Sequence, residues 1–197
     1  MFSAALRGVI GILFMGHGLQ KLKGWFGGHG IEGTAGFFEM LGLRPGKRHA
    51  TAAGLSETVG GGLLALGALT PLATTLLIGT MVTAIRKVHA PKGPWVTEGG
   101  YEYNLVLIAA LTDLAEHGPG SASVDAALFP RLKGPAWAAL SLGAGIAGSY
   151  LVTERLTEPA PAPEAAPEAE PAATSAGRFA GEGDGTTQAA EQQPTQT

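Results

Sequence analysis

The sequence predicts an all-α integral membrane protein: a four-helix bundle, a fifth transmembrane helix and a disordered C-terminal tail. Hydrophobic residues make up 45% of the 197 positions and charged residues only 15%. The apolar residues fall into five runs, most of them close to the ~20 residues with which a helix crosses a bilayer. Glycine occupies 31 positions, many inside these runs. Small residues let membrane helices approach closely, so this composition favours a membrane bundle over a soluble core.

The first apolar run extends from Ser3 to Leu22 and predicts the first transmembrane helix. A signal peptide is the alternative, because Arg7 precedes the apolar segment Val9–Met15. However, no small-x-small cleavage site follows the run, and the next residues are basic and aromatic. We therefore expect the run to be retained as a membrane helix.

The loop after the first run contains a second, shorter apolar segment at 34–43. Its residues Phe37, Phe38 and Leu41 recur at helical spacing, but the segment is too short to span a bilayer. The pattern predicts an interfacial or re-entrant helix.

The second and third apolar runs cover residues 50–69 and 72–88 and are joined only by Thr70-Pro71. So short a link predicts a tight antiparallel hairpin of two spans. The fourth run, 101–115, is short for a membrane helix.

The fifth run covers residues 135–152 and carries two small-residue patterns, Ser141-x-x-x-Gly145 and Ala144-x-x-x-Gly148. Such patterns favour close helix packing in membranes. The remaining residues are rich in Pro, Ala, Glu, Gln and Thr, hold seven acidic groups against one basic group, and cannot bury a core. The predicted organisation is thus a four-helix domain at 1–125, an additional transmembrane helix at 126–156 and a disordered acidic tail at 157–197.

Basic residues are distributed unevenly between the two predicted membrane faces. One face has nine of them: Lys21, Lys23, Arg44, Lys47, Arg48, Arg86, Lys87, Lys92 and Arg155. The opposite face has three: Arg7, Arg131 and Lys133. The positive-inside rule places the first face in the cytoplasm. We expect a multi-pass protein of a bacterial inner (cell) membrane, with its N-terminus outside and its tail in the cytoplasm if there are five spans.

Polar residues of three predicted helices converge near the cytoplasmic boundary: His17, Gln20, Lys21, Glu57 and Glu102. At ~1.5 Å rise per residue, all lie within roughly 10 Å of that boundary. Ionisable groups inside a span are costly and by default indicate a functional site. Structural alternatives remain: Lys21, Arg86 and Lys87 snorkelling to the interface, Glu102 in headgroup water, a hydrogen-bonded His17, and a Glu57 ion pair with His17 or Lys21. His29 and His49 are expected in the loop after the first helix and are weak candidates for the site.

Several classes of chemistry have no support in the sequence. There is no cysteine, so neither a disulfide nor a thiolate nucleophile is possible. There is no phosphate-binding loop, nucleotide-binding glycine motif or nucleophile elbow. The one histidine and two glutamates of the polar cluster lack metal-binding spacing, so we predict no metal site. The pI of 5.9 gives no indication of nucleic-acid binding.

The chain resembles the DoxX family of small bacterial membrane proteins over about residues 4–125. The resemblance rests on these segments: Phe14-Met-Gly-His-Gly-Leu-Gln-Lys21, Gly33-Thr-Ala-Gly-Phe-Phe-Glu-Met-Leu-Gly-Leu43, Glu57 with the following Gly60-Gly-Gly-Leu-Leu-Ala-Leu-Gly67, Gly99-Gly-Tyr-Glu-Tyr103 and Gly118-Pro-Gly-Ser121. The family fold is a four-helix membrane bundle, from which the fifth helix and the acidic tail depart.

The resemblance implies a subunit of a membrane-associated, quinone-linked oxidoreductase, with a quinone as ligand and soluble or membrane oxidoreductase subunits as partners. The resemblance also implies that a polar, quinone-binding pocket is formed by five residues: His17, Gln20, Lys21, Glu57 and Glu102. The first alternative is a non-catalytic scaffold that recruits soluble redox or stress-response enzymes. The second is a small solute carrier, although no pair of broken half-helices supports it.

Overall fold

The computed structural model describes residues 2–159, and this part of the chain is all-α. Its seven α-helices are α1 (Phe2–Lys23), α2 (Gly30–Met40), α3 (Gly46–Leu66), α4 (Thr70–Ala84), α5 (Glu102–His117), α6 (Val124–Leu128) and α7 (Pro135–Tyr150). Residues 2–159 contain no β-strand. Apart from its first three residues, the tail predicted at 157–197 lies outside the described part of the chain.

Each of the five predicted runs coincides with one long helix: α1, α3, α4, α5 and α7. The short helix predicted at 34–43 is also present as α2, four residues earlier at its start. The third run was expected to reach Val88, but α4 ends as an α-helix at Ala84 and continues as a π-helical turn over Ile85–His89. A similar π-helical turn, Leu151–Arg155, follows α7.

The link between α3 and α4 differs from the prediction. Thr70 and Pro71 open α4 instead of joining two helices, because proline is well tolerated in the first helical turn. The link is residues 67–69. Gly67, with φ +63°, ends α3 in the left-handed conformation, and its N–H bonds to carbonyls of the last turn.

The short helix α6 is absent from the predicted elements, yet it positions the start of α4. The carboxylate of Asp125 accepts hydrogen bonds from the backbone N–H groups of Leu69 at 2.7 Å and Thr70 at 2.8 Å. Asp125 is only 2% exposed. It therefore serves as the N-terminal cap of α4, where a negative charge also stabilises the helix dipole.

Helices α1 and α3 pack along their whole length through small residues. A Cβ atom added at Gly11 of α1 would lie 2.5 Å from the carbonyl oxygen of Gly61 in α3. The two backbones can approach so closely only because both positions lack a side chain. α4 packs against α3, α5 and α7, whereas α1 and α5 do not pack closely against each other. The shared core is formed by Ile10, Phe14, Leu64, Leu77, Ile78, Leu111 and Leu114.

Helix α7 packs on α4 through one of its two small-residue patterns. The Ser141 hydroxyl donates to the carbonyl oxygen of Pro71 at 3.0 Å. A Cβ atom at Gly145 would lie 2.7 Å from the Ile78 side chain. The prediction of close packing is thus confirmed for Ser141 and Gly145. Gly145 also lines a cavity, together with Ala144 and Gly148.

Within residues 2–159, two helical segments are long and apolar enough to cross a membrane. They are Phe2–Lys23, with a mean hydropathy of 1.4, and Pro135–Arg155, with 1.3. Large apolar side chains are also exposed on the shorter helices, including Leu55 and Val59 of α3 and Leu105 and Val106 of α5.

Candidate functional site

A cavity of about 500 Å³ lies where the C-terminal ends of α1 and α4 meet the N-terminal ends of α3 and α5. We call this part of the molecule the cavity end. The wall is mainly apolar and includes Phe14, Leu43, Met81, Leu107 and Val152. A volume of this size is within the ~300–1,000 Å³ typical of small-molecule sites.

An ion pair between α1 and α3 forms the charged part of the cavity wall. The Lys21 Nζ donates to Oε2 of Glu57 at 2.6 Å. The Glu57 side chain is 6% exposed and that of Lys21 is 25% exposed. Within residues 2–159 the second carboxylate oxygen of Glu57, Oε1, accepts no hydrogen bond, and Lys21 uses only one of its three donors. The pair therefore keeps hydrogen-bonding capacity for a further group.

His17 lies one turn before Lys21 on α1, and Gln20 directly precedes Lys21, but the two residues play different parts. The His17 Nδ1 is 3.0 Å from Oε1 of Gln20, and the His17 ring lines the cavity. The Gln20 Nε2 donates to the carbonyl oxygen of Phe26 at 3.2 Å. Gln20 thus fixes the loop after α1 and orients His17, and it is not itself part of the cavity wall.

Glu102 lies away from the other predicted site residues. Its Oε1 accepts a hydrogen bond from the backbone N–H of Val96 at 2.7 Å, so it fixes the loop that precedes α5. It shares a helical face with Val106, which is 64% exposed. That face points away from the bundle, and Glu102 is not part of the cavity wall.

The inward face of α5 contributes Asn104, which is not among the predicted site residues. Asn104 is 7% exposed and lines the cavity. Its Nδ2 donates to the Met81 Sδ at 3.3 Å, and a thioether is a weak acceptor. The predicted site is chosen from ionisable side chains and their neighbours on the same helix face, so it omits the amide of Asn104. The available signal is the spacing of Asn104 with Leu107, Leu111 and Leu114, which marks it as inward-facing.

Comparison with known proteins identifies the family. The sequence profile described as DoxX matches residues 2–90. A protein of Bacillus subtilis (strain 168) named "Putative oxidoreductase CatD" is 32% identical over 124 residues, which cover 63% of this chain and 84% of that protein. The chain belongs to the DoxX family. No solved structure matches it. The predicted family is thereby confirmed, and the family together with the two long apolar helices assigns this DoxX protein to a membrane.

His49 of this DoxX protein lies closer to the cavity than the sequence predicts, and His89 also lines the cavity. His49, expected in the loop, belongs to the first turn of α3, is 3% exposed and lines the cavity. Its Nε2 lies 3.2 Å from the carbonyl oxygen of Arg44 and 3.3 Å from the Thr157 hydroxyl. The Nδ1 of His89 lies 2.7 Å from the carbonyl oxygen of Gly99. Both rings therefore fix loops at the edge of the cavity.

Arg86 binds α7 in the DoxX structure, in contrast to the expected snorkelling. Its guanidinium donates to the Thr153 hydroxyl at 2.7 Å and to Glu154 at 2.8 Å. It also lies 3.6 Å from the ring centroid of Tyr150, a cation–π contact. Arg86 thus connects the end of α4 to the end of α7. Within residues 2–159 no group of three His, Asp or Glu side chains is arranged to hold a metal ion.

The opposite end of the bundle contains a second buried cation, Arg7. Its Nε donates to the carbonyl oxygen of Pro119 at 2.8 Å. Its Nη1 and Nη2 donate to the carbonyl oxygens of Ala65 and Ala122. Arg7 is 7% exposed, and all three of its nitrogens are used. We call this part of the molecule the Arg7 end.

Proposed function

We propose that this DoxX protein is the membrane subunit of a quinone-linked oxidoreductase and that its cavity holds the quinone headgroup. The observation that carries the proposal is an apolar cavity with the partly buried Lys21–Glu57 ion pair in its wall. The oxidoreductase name of the related Bacillus protein supports the same class of function.

The residues of the cavity fit a quinone. A quinone carries acceptor oxygens on an apolar ring, and it becomes a quinol on taking up two electrons and two protons. Lys21 and His17 would donate hydrogen bonds to such an oxygen, while Glu57 would hold a proton next to it. The chain has no cysteine to supply electrons, so they would come from a redox group that the chain binds or that a partner subunit carries.

The rim of the cavity favours a ligand that enters from the lipid. Val9 and Leu13 of α1 and Tyr103 of α5 all line the cavity, yet they are 61%, 52% and 54% exposed. They lie on two helices that do not pack closely together. In a bilayer such a gap faces acyl chains, where the tail of a membrane quinone would lie.

We also propose that α1, α3, α4, α5 and α7 all span the membrane, with the cavity end towards the cytoplasm. Exposed apolar side chains on α3 and α5 and the excess of basic residues at the cavity end support this topology. The absence of native cysteine gives a direct test. An impermeant maleimide should label Ser121→Cys in intact cells and Lys47→Cys only after lysis. The reverse pattern would contradict the orientation.

The quinone proposal is tested by measuring quinone in protein purified from its native membrane in mild detergent. We expect close to one quinone per protein, and a clear loss in Glu57→Gln. Glu32→Gln is the matched control, because the Glu32 side chain is 76% exposed and distant from the cavity wall. Wild-type protein with no quinone above the micelle background would refute the proposal.

A scaffold role is the second candidate, and the surface of α2 favours it. Phe37 and Met40 of this helix are 43% and 79% exposed at the cavity end. An oxidoreductase docked there would be held at the membrane without any chemistry by this chain. In that case deletion of residues 160–197 together with Met40→Glu should release partner proteins from the purified complex. An unchanged partner set would argue against the scaffold role.

A further inference from the structure

We infer that Asn104 is a second ligand-binding group of the cavity, and that it selects the quinol form of a 1,4-quinone. The inference rests on the proposed function and adds to it the residue that distinguishes the reduced from the oxidised ligand.

The hydrogen bonding of Asn104 is incomplete. The residue is 7% exposed, its Nδ2 contacts only the Met81 sulfur at 3.3 Å, and within residues 2–159 its Oδ1 accepts no hydrogen bond. A buried amide with only one weak hydrogen bond is unfavourable for stability, and asparagine is also a poor helix former. A leucine would suit this apolar helix face better. The amide is explained if a ligand in the cavity completes its hydrogen bonds.

The position of Asn104 relates it to a ligand that also contacts Lys21 and Glu57. The ion pair lies on α1 and α3, whereas Asn104 lies on α5, and α4 packs between α3 and α5. A ligand that contacts both groups needs two separate polar atoms, one towards α1 and α3 and one towards α5. A 1,4-quinone has this arrangement, whereas the two oxygens of a 1,2-diol are adjacent.

The free atom of Asn104 determines which form of the ligand it prefers. In the structure Nδ2 is turned towards the Met81 sulfur and Oδ1 is free, so a ligand that leaves this amide orientation unchanged must donate a hydrogen bond to Oδ1. The hydroxyl of a quinol donates in this way. The carbonyl of the oxidised quinone can only accept, so it would have to pair with Nδ2 instead, which disturbs the Met81 contact. Asn104 should therefore favour retention of the reduced ligand.

The test compares the dissociation constants of a decyl-substituted 1,4-benzoquinone and of its quinol, both titrated anaerobically into the full-length protein. Wild-type protein should bind the quinol more tightly, and Asn104→Leu should reduce the quinol-to-quinone preference about tenfold, as expected for one lost hydrogen bond. Asn104→Asp keeps an acceptor and should keep the preference. Leu105→Ala, on the exposed face of the same helix, is the control.

An unchanged preference in Asn104→Leu would overturn the inference, whether both affinities fall together or neither changes, because a purely structural role affects both forms equally. If leucine prevents folding, Asn104→Ala addresses the same question. Wild-type protein that binds neither form would refute the proposed function itself, which is a separate outcome.

Discussion

Arg7 at one end of the bundle and Lys21 at the other each bind protein oxygen atoms, but the two cations are satisfied differently. At the Arg7 end, all three guanidinium nitrogens of Arg7 bind backbone carbonyls. At the cavity end, Lys21 uses one donor on Glu57, and Oδ1 of Asn104 accepts no hydrogen bond within residues 2–159. Polar groups that the protein satisfies completely hold the fold together. Polar groups with capacity to spare, next to a cavity, indicate a ligand.

Removal of the Arg7 guanidinium should have the largest effect on stability. Arg7→Leu removes three hydrogen bonds made by a charged group, one of them buried and two part-buried, and such bonds contribute about 1.5–3 kcal/mol each. We expect a loss of roughly 4 kcal/mol, measured by denaturant unfolding in detergent. Arg7→Lys keeps the charge but cannot bind all three carbonyl oxygens as a guanidinium does. Its stability should lie between those of Arg7→Leu and wild type. Near-wild-type stability of Arg7→Leu would contradict a structural role.

Breaking the Lys21–Glu57 ion pair should give the next largest effect, and an asymmetric one. Lys21→Met leaves a carboxylate whose side chain is 6% exposed, whereas Glu57→Leu leaves an ammonium group that is 25% exposed and can reach water. We expect a loss of about 3 kcal/mol for Lys21→Met and less for Glu57→Leu. The double variant should be more stable than Lys21→Met alone. Additive losses in this double-mutant cycle would show that the pair is uncoupled.

Loss of the cap at the start of α4 should have an intermediate effect at the Arg7 end. Asp125→Ala removes the acceptor for two backbone N–H groups, and loss of an N-terminal cap costs about 1–2 kcal/mol. Thermal unfolding followed by circular dichroism measures the change. Asp113→Ala, at an exposed position on α5, is the control. Equal melting temperatures of the two variants would argue against the cap.

A change of opposite sign is expected for Asn104. Asn104→Leu replaces a poorly satisfied buried amide with an apolar side chain, and it should raise the stability of the ligand-free protein by about 1 kcal/mol. The same substitution should weaken quinol binding. Lower stability of the ligand-free variant would identify Asn104 as a structural residue like Arg7.

The smallest effect is expected at an exposed ion pair. The Lys47 Nζ lies 2.6 Å from Oε1 of Glu32, but the two side chains are 65% and 76% exposed. Exposed pairs contribute about 0–1 kcal/mol, so Lys47→Ala should not change the unfolding transition measurably. A loss of stability as large as that of Lys21→Met would mean that solvent exposure does not explain the difference expected between these two ion pairs.

The helices could be predicted from the sequence because each run is mainly apolar and long enough for several helical turns. The approach of α1 to α3 could also be anticipated from the small residues around Glu57. The cap on α4 could not be predicted, because Asp125 lies 55 residues beyond the N–H group of Thr70 that it binds. Similarly, Glu102 and Asn104 are two residues apart on one helix. The two side chains point to opposite sides of α5, and only the side that packs on α4 faces the cavity. The helical spacing of Asn104 with Leu107 and Leu111 indicates that Asn104 is on that side.

The most direct test of the contrast between the two ends is the melting temperature of the full-length protein with and without a long-chain 1,4-quinone. A ligand that binds only the folded state raises this temperature. We predict that the quinone raises the melting temperature of wild-type protein and of Asp125→Ala, whose change lies at the Arg7 end. The melting temperature of Glu57→Gln should rise little or not at all. An equal rise in Glu57→Gln, or no rise in wild-type protein, would contradict the assignment of the cavity end as the ligand site.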